Sequence, residues 1–294
     1  MNSIEVSHIT KDYGDHKGVF DISFTVNQGE VLGFLGPNGA GKTTTIRQLM
    51  GFTKPDKGYV SILGKDCFKD AKEIQKSIGY LPGEITFMDD ISGNEFIKFI
   101  ANLKGIKDMS KANELIEYFE LNPKGKIKKM SKGMKQKIGL VCAFMQDPDI
   151  YIFDEPTSGL DPLMQNKFVE LIIQEKEKGK TILMSSHIFE EVEKTCDRVA
   201  IIKDGEIVAI DKIENLKQNK KKKFIITFNH QKDALHVLKD YEDAIVDNNT
   251  VQISIKDVNT FIHYLQKYEI KDIDIQTQTL EELFLHFYGG QHNA

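Results

Sequence analysis

The chain has 294 residues, a formal net charge of -5 and three widely spaced cysteines. That length favours two folded units over one, and the acidic balance gives no sign of a direct nucleic-acid binder. The odd cysteine count, with no metal-ligand spacing around Cys67, Cys142 or Cys196, argues against a disulfide framework and for small apolar fillers in a reducing compartment.

From the N-terminus, "IEVSHI", "ISFTV" and "VLGFL" read as strands. The opening "MNSIEVSHITKDYG" has no apolar core of signal-peptide length, and no window reaches the roughly 18 apolar residues of a membrane span. A cytoplasmic protein is expected, with any membrane role exercised through a partner. After the third strand comes Gly36-Pro37-Asn38-Gly39-Ala40-Gly41-Lys42-Thr43, followed by Thr44 and a helix with Ile46 and Leu49 spaced for burial. This is the phosphate-loop pattern G-x-x-x-x-G-K-[ST] in its strand-to-helix setting. Glycines let successive backbone N–H groups turn inward around an anion, and the helix N-terminus adds unpaired donors. Lys42 is placed to reach β- and γ-phosphates, Thr43 to put a hydroxyl on Mg²⁺, and Thr44 to add a phosphate contact.

"PDKG" is a turn signal and "YVSIL" another strand. Helices are expected over 94–103 and 111–119, then one starting near Met134. "IYIFD" and "TILMSS" are short apolar strands separated by a helix over 164–178. Buried strands alternating with helices predict an α/β core with a partly parallel sheet. "RVAIIKDGEIVAI" reads as a hairpin turning at Asp204-Gly205. The basic run "KQNKKKKF" marks a domain boundary, as a solvated linker or a patch for a membrane surface or acidic partner. Beyond it lie a strand "FIITF", a helix over about 232–239, a strand "TVQISI", a helix over about 258–268, "IDIQ" and "TLEELFLHFY", a small α+β unit without a cluster of chemical residues.

The strand Ile150–Phe153 ends in Asp154 and Glu155. Two adjacent carboxylates are poor packing material for a buried strand. At its C-terminal end they reach the crevice where α/β proteins bind ligands. Asp154 is expected to hold Mg²⁺ through water, and Glu155 to activate or orient the attacking water. His187, closing the next strand, either contacts the γ-phosphate or serves as an ordinary capping histidine.

Together these motifs resemble the ATP-binding subunit of ATP-binding cassette (ABC) transporters, of the exporter type with a separate membrane chain. The resemblance implies a P-loop nucleoside triphosphatase cassette over residues 1–217 with a mixed sheet and a helical subdomain at about 85–145. A basic linker at 218–223 and a C-terminal accessory domain at 224–294 would follow. It implies ATP and Mg²⁺ as cofactors, with ATP held between two cassettes, a homodimer or a pair with a close paralogue. Residues 36–44 then match the family's phosphate loop, Asp154 its magnesium aspartate, Glu155 its catalytic glutamate and His187 its switch histidine. "SGLD", with Asp161, matches the loop that couples two sites, and Tyr13 matches the aromatic that stacks on adenine. "MSKGMKQK" stands where the family has L-S-G-G-Q. It keeps Ser131 and Gly133 for the γ-phosphate of the facing cassette and departs at Met130, Lys132 and Met134. In "IGYLPGEITF", Gly83 occupies the position of the usual magnesium-sensing glutamine, with the carboxylate of Glu84 next to it. The implied work is export of a drug, antibiotic or peptide through a multi-span permease docked near 85–121, with the protein peripheral on the cytosolic face. A regulatory cassette ATPase acting on ribosomes or translation is the alternative, although such chains usually carry two cassettes and this one has a single phosphate loop.

Overall fold

The computed structural model describes residues 2–88, 90–218, 222–241, 243–277 and 282. The chain divides into two compact units, Met1–Ile213 and Glu214–Ala294.

In the first unit the order is β1 (Asn2–Asp12), β2 (Gly18–Asn27), β3 (Val31–Leu35), α1 (Lys42–Leu49), β4 (Lys57–Ile62), β5 (Lys65–Asp66), α2 (Ala71–Ser77), β6 (Ile78–Leu81), α3 (Gly93–Lys104) and α4 (Ser110–Tyr118). It continues with α5 (Lys132–Phe144), β7 (Ile150–Asp154), α6 (Pro162–Glu177), β8 (Thr181–Ser186), α7 (Phe189–Thr195), β9 (Arg198–Lys203) and β10 (Glu206–Lys212). Two sheets result. β2-β1-β4-β5 is antiparallel, and β10-β9-β3-β8-β7-β6 is mixed, parallel from β9 to β6 with β10 antiparallel at its edge. Every residue of β3, β7 and β8 is buried, as a parallel sheet covered on both faces requires. The core joins the two sheets through α1. Ile46 and Leu49 are wholly buried among Val6, Phe34 and Ile202, and Phe24 and Phe34 have ring centroids 5.3 Å apart.

Local signals explain the helix ends. Ser92 begins α3 with a capping box: its hydroxyl accepts from the Glu95 N–H while the Glu95 carboxylate accepts from the Ser92 N–H at 2.7 Å. α5 starts at Lys132, two residues before the expected Met134, because Ser131 is extended and its Oγ accepts from the Met134 N–H at 3.2 Å. α6 starts at Pro162 for the same reason, with Asp161 as cap and a proline at the first helical position. The β9–β10 hairpin turns at Asp204 and Gly205, both with positive φ, the geometry a two-residue primed turn needs.

The second unit contains α8 (Ile213–Gln218, which starts at the division), β11 (Lys222–Phe228), α9 (Gln231–Asp240), β12 (Ile245–Asp247), β13 (Thr250–Ile255), α10 (Val258–Leu265) and β14 (Ile270–Thr277). Its antiparallel sheet has the order β12-β13-β11-β14. Phe224, Ile226 and Phe228 on β11 pack with Val237 of α9 and Phe261 and Leu265 of α10. α10 ends three residues before the expected 268. The short α2, β5 and β12 were not legible from periodicity. Residues 219–221 of the basic run, and most of "TLEELFLHFY", lie outside the described residues.

Cys67 and Cys196 are buried and Cys142 is part-buried, all unbridged, and burial pushes each thiol up to about 12. Among the described residues no helix is long and apolar enough to cross a membrane.

Candidate active site

β3, β8 and β7 are parallel neighbours, so their C-terminal ends open on the same edge of the sheet. The loop 36–41 leaves β3, the Asp154-Glu155 pair ends β7, and Ser186-His187 ends β8. The register sets Asp154 opposite Ser185.

The loop is shaped by close approach. A Cβ at Gly36 would stand 2.5 Å from the Ile202 carbonyl oxygen, and one at Gly41 2.5 Å from Val19 Cγ1, with Gly41 also at φ +110°. Only glycine fits that space and that dihedral. Lys42, 5 % exposed, curls back along the loop. Its ammonium donates to the carbonyls of Gly36 at 2.7 Å and Pro37 at 3.1 Å, and lies 3.3 Å from Glu155 Oε1. The cation is thus held over the cradle by backbone dipoles and one carboxylate.

Asp154 is 1 % exposed, which would be costly for an unpartnered carboxylate. Both its oxygens accept hydroxyl hydrogen bonds: Thr43 Oγ1 donates to Oδ2 at 2.7 Å, and Ser185 Oγ to Oδ1 at 2.5 Å. Thr43 and Asp154 therefore stand side by side as hard oxygen donors at the helix N-terminus, a donor set suited to Mg²⁺. Gly83 is on the same side, where a Cβ would lie 3.1 Å from Asp154 Oδ2. Glu84 is exposed in the loop after β6.

Glu155 has a left-handed backbone, φ 48°. That strain at a non-glycine residue persists only where the surroundings hold it. Here the Glu155 N–H donates to Ser185 Oγ at 3.0 Å and to the Ser185 carbonyl at 3.2 Å, and Gln136 of α5 donates to the Pro156 carbonyl at 2.8 Å. The sharp turn aims the carboxylate back at the loop. One oxygen faces Lys42, and the other lies 3.5 Å from His187 Nδ1.

The structure thus brings Lys42, Thr43, Asp154, Glu155 and His187 into one connected cluster. Other candidate residues are engaged locally. Ser131 caps α5, and Asp161 caps α6 by accepting from the Met164 N–H at 3.1 Å. Gly133 is pressed against the "SGLD" loop, with a Cβ there only 2.7 Å from the Gly159 carbonyl oxygen, and Lys132 Nζ donates to Ser158 Oγ at 2.9 Å. Tyr13 follows β1, is 55 % exposed and carries the Lys11 ammonium 5.8 Å from its ring centroid. Sequence reasoning missed Ser185 and Gln136, which fix the two carboxylates. The one available signal for Ser185 was a pair of serines ending an otherwise apolar strand.

Residues 19–158 match the ABC transporter family. Over almost the whole length of both chains the protein is 33 % identical to two Bacillus proteins. One is the ABC transporter ATP-binding protein YhcH of Bacillus subtilis (97 % of this chain, 96 % of the relative). The other is the bacitracin transport ATP-binding protein BcrA of Bacillus licheniformis (98 % and 97 %). A solved ATP-binding subunit of an ABC transporter superposes with a TM-score of 0.68 at 31 % identity, over 73 % of this chain and 92 % of that one. The resemblance read from the motifs holds: the fold is that of an ABC cassette, and the chain belongs to the ABC transporter family as an ATP-binding subunit.

Proposed function

We propose that the chain hydrolyses ATP to power export through a partner permease. The observation that carries this reading is the single cluster of Lys42, Thr43, Asp154, Glu155 and His187 at the ends of three adjacent parallel strands. A phosphate cradle, a hard-cation site and a carboxylate aimed at the cradle are the parts phosphoryl transfer to water requires.

The roles follow from position. The N–H groups of residues 36–44 and the Lys42 ammonium bind and orient the triphosphate, and they stabilise charge spreading over the transferring group. Lys42 already lies among backbone carbonyls beside Glu155, so phosphate oxygens take over those partners. Thr43 and Asp154 hold Mg²⁺, with Glu84 as a further candidate carboxylate. The ion, when bound, neutralises phosphate charge. Glu155 orients the attacking water, and His187 steadies the far oxygen of Glu155 and senses the γ-phosphate. Tyr13 stacks on adenine. Ser131 and Gly133 close the site of a facing second cassette, with Asp161 in the loop between the two sites.

Cargo and membrane partner come from likeness. The relatives include proteins named for bacitracin transport and for linearmycin resistance, which supports a drug, antibiotic or peptide as cargo. The partner is a multi-span permease, and the chain then sits peripherally on the cytosolic face. Exposed Met88, Phe99 and Leu103 in the helical region support a dock there. The test is affinity purification of the tagged chain from mild-detergent membrane extract, with and without ATP, read by mass spectrometry. A stoichiometric multi-span protein is expected. Recovery of ribosomes without such a protein would favour the regulatory ATPase.

A further inference from the structure

Glu191, on α7, is 5 % exposed. Its Oε2 accepts from Ser186 Oγ at 2.9 Å. The same Ser186 oxygen accepts from the Ile188 N–H at 2.9 Å, closing a tight turn around His187. The Ser186 hydroxyl has the Ile188 carbonyl as its other acceptor only at 3.5 Å, so its proton goes to the nearer carboxylate and its lone pairs face that N–H. The hydrogen bond from Ser186 favours the ionised form of this carboxyl. Thr195 Oγ1 donates to the Glu191 carbonyl at 2.7 Å, fixing the backbone from which the side chain reaches. The other carboxyl oxygen, Oε1, is buried without a hydrogen-bond partner. Burial raises the carboxyl against its usual range, while His187 and Glu155 act on it with opposite signs. A polar group retained at such a cost calls for an explanation.

The geometry points to Glu191 as a positioning residue. It locks the turn that presents His187 to Glu155. This rests on the reading that Glu155 and His187 serve hydrolysis. The effect is transmitted through Ser186, so Glu191 sets where the His187 ring stands without touching the nucleotide. An amide at this position keeps an acceptor for Ser186 and puts an N–H donor where the unpartnered oxygen now lies. A methyl group removes the anchor.

The test uses the full chain and compares Glu191→Ala with Glu191→Gln. Glu191→Ala is expected to lower kcat for ATP hydrolysis at least about tenfold with KM for ATP within about twofold, the signature of lost positioning rather than lost binding. Glu191→Gln should keep at least about half of the parental kcat. Three results would overturn the proposal: parental kcat in Glu191→Ala; equal loss in both variants; or a fall in kcat accompanied by lost ATP binding and a lowered melting temperature. Glu155→Gln in the same assay checks the underlying reading. Should the parent show no hydrolysis that Glu155→Gln removes, that reading fails, and the positioning claim is decided by NMR of the ¹³C-histidine-labelled chain. The His187 resonances, assigned by difference with His187→Ala, should shift in Glu191→Ala and hold in Glu191→Gln. An unmoved His187 signal in Glu191→Ala rejects the proposal.

Discussion

The two units bury different materials. Every buried polar or charged side chain among the described residues belongs to the first unit, and Lys42, Asp154, Thr157, Ser185, Ser186 and Glu191 all stand at or behind the strand ends of the site. The second unit buries Phe224, Ile226, Phe228, Val237, Val251 and Phe261. Apolar burial stabilises without direction, at about 25 cal/mol per Å². Buried polar groups hold a geometry only when they are partnered, and they are costly otherwise. The first unit therefore holds the partnered polar groups, and the second is built on apolar packing.

The sharpest way to break that contrast is at Glu155. Glu155→Gln should cut kcat by about 10²–10⁴-fold, the range for loss of a positioned acid–base group, while ATP binding persists. A phosphate-release assay beside a binding titration separates the two, and near-parental turnover would remove Glu155 from its role. Next in size is a change in the second unit. Phe224 is wholly buried, with its ring 4.9 Å from that of Phe261. Phe224→Ala should destabilise that unit by about 3–5 kcal/mol. Hydrogen exchange should accelerate in β11 and β13 while ATP binding by the first unit is retained. Loss of both together would mean the units do not divide labour as their interiors suggest.

A smaller effect is expected at Lys42. Lys42→Ala removes a charged donor worth about 1.5–3 kcal/mol, roughly 10- to 100-fold in ATP affinity. Isothermal titration reads it directly, and unchanged affinity would count against the cradle assignment. The smallest is a pH effect at Glu191. Its folded carboxyl holds a proton to higher pH than in the unfolded chain. The folded state thus binds more protons, and stability falls as pH rises from the ordinary glutamate value through the raised one. Glu191→Gln removes that loss. Its melting temperature should gain on the parent's between acid and neutral pH, and a difference independent of pH would show that the carboxyl is not held this way.

These side chains also mark how far the sequence could be read. The phosphate loop is local: eight consecutive residues carry both its dihedrals and its donors, so Gly36 to Thr43 were visible at once. Asp154 and Glu155 were visible because carboxylates ending an apolar strand are conspicuous. The alternation of β3, α1, β7, α6 and β8 followed from periodicity, and the Asp204-Gly205 turn from its dipeptide. What stayed hidden depends on partners distant in the chain. Ser185 meets Asp154 across 31 positions, and Gln136 meets Pro156 across 20. Nothing in an isolated serine or glutamine announces such a partner. Glu191 sits in a run of charged residues, "FEEVEK", that reads as a solvated helix face, and only the packed structure shows which glutamate turns inward. The start of α5 at Lys132 rather than Met134 depends on the Ser131 cap, a backbone contact that a basic run does not announce.

The cysteines have a practical consequence. Alkylating reagents attack thiolates, and thiols pushed up to about 12 supply almost none at neutral pH. The native chain is therefore a quiet background for maleimide chemistry. A single cysteine introduced at an exposed position such as Thr86 would take up a spin label or fluorophore selectively, and the movement of the loop after β6 during a nucleotide cycle could be followed in the otherwise unaltered protein.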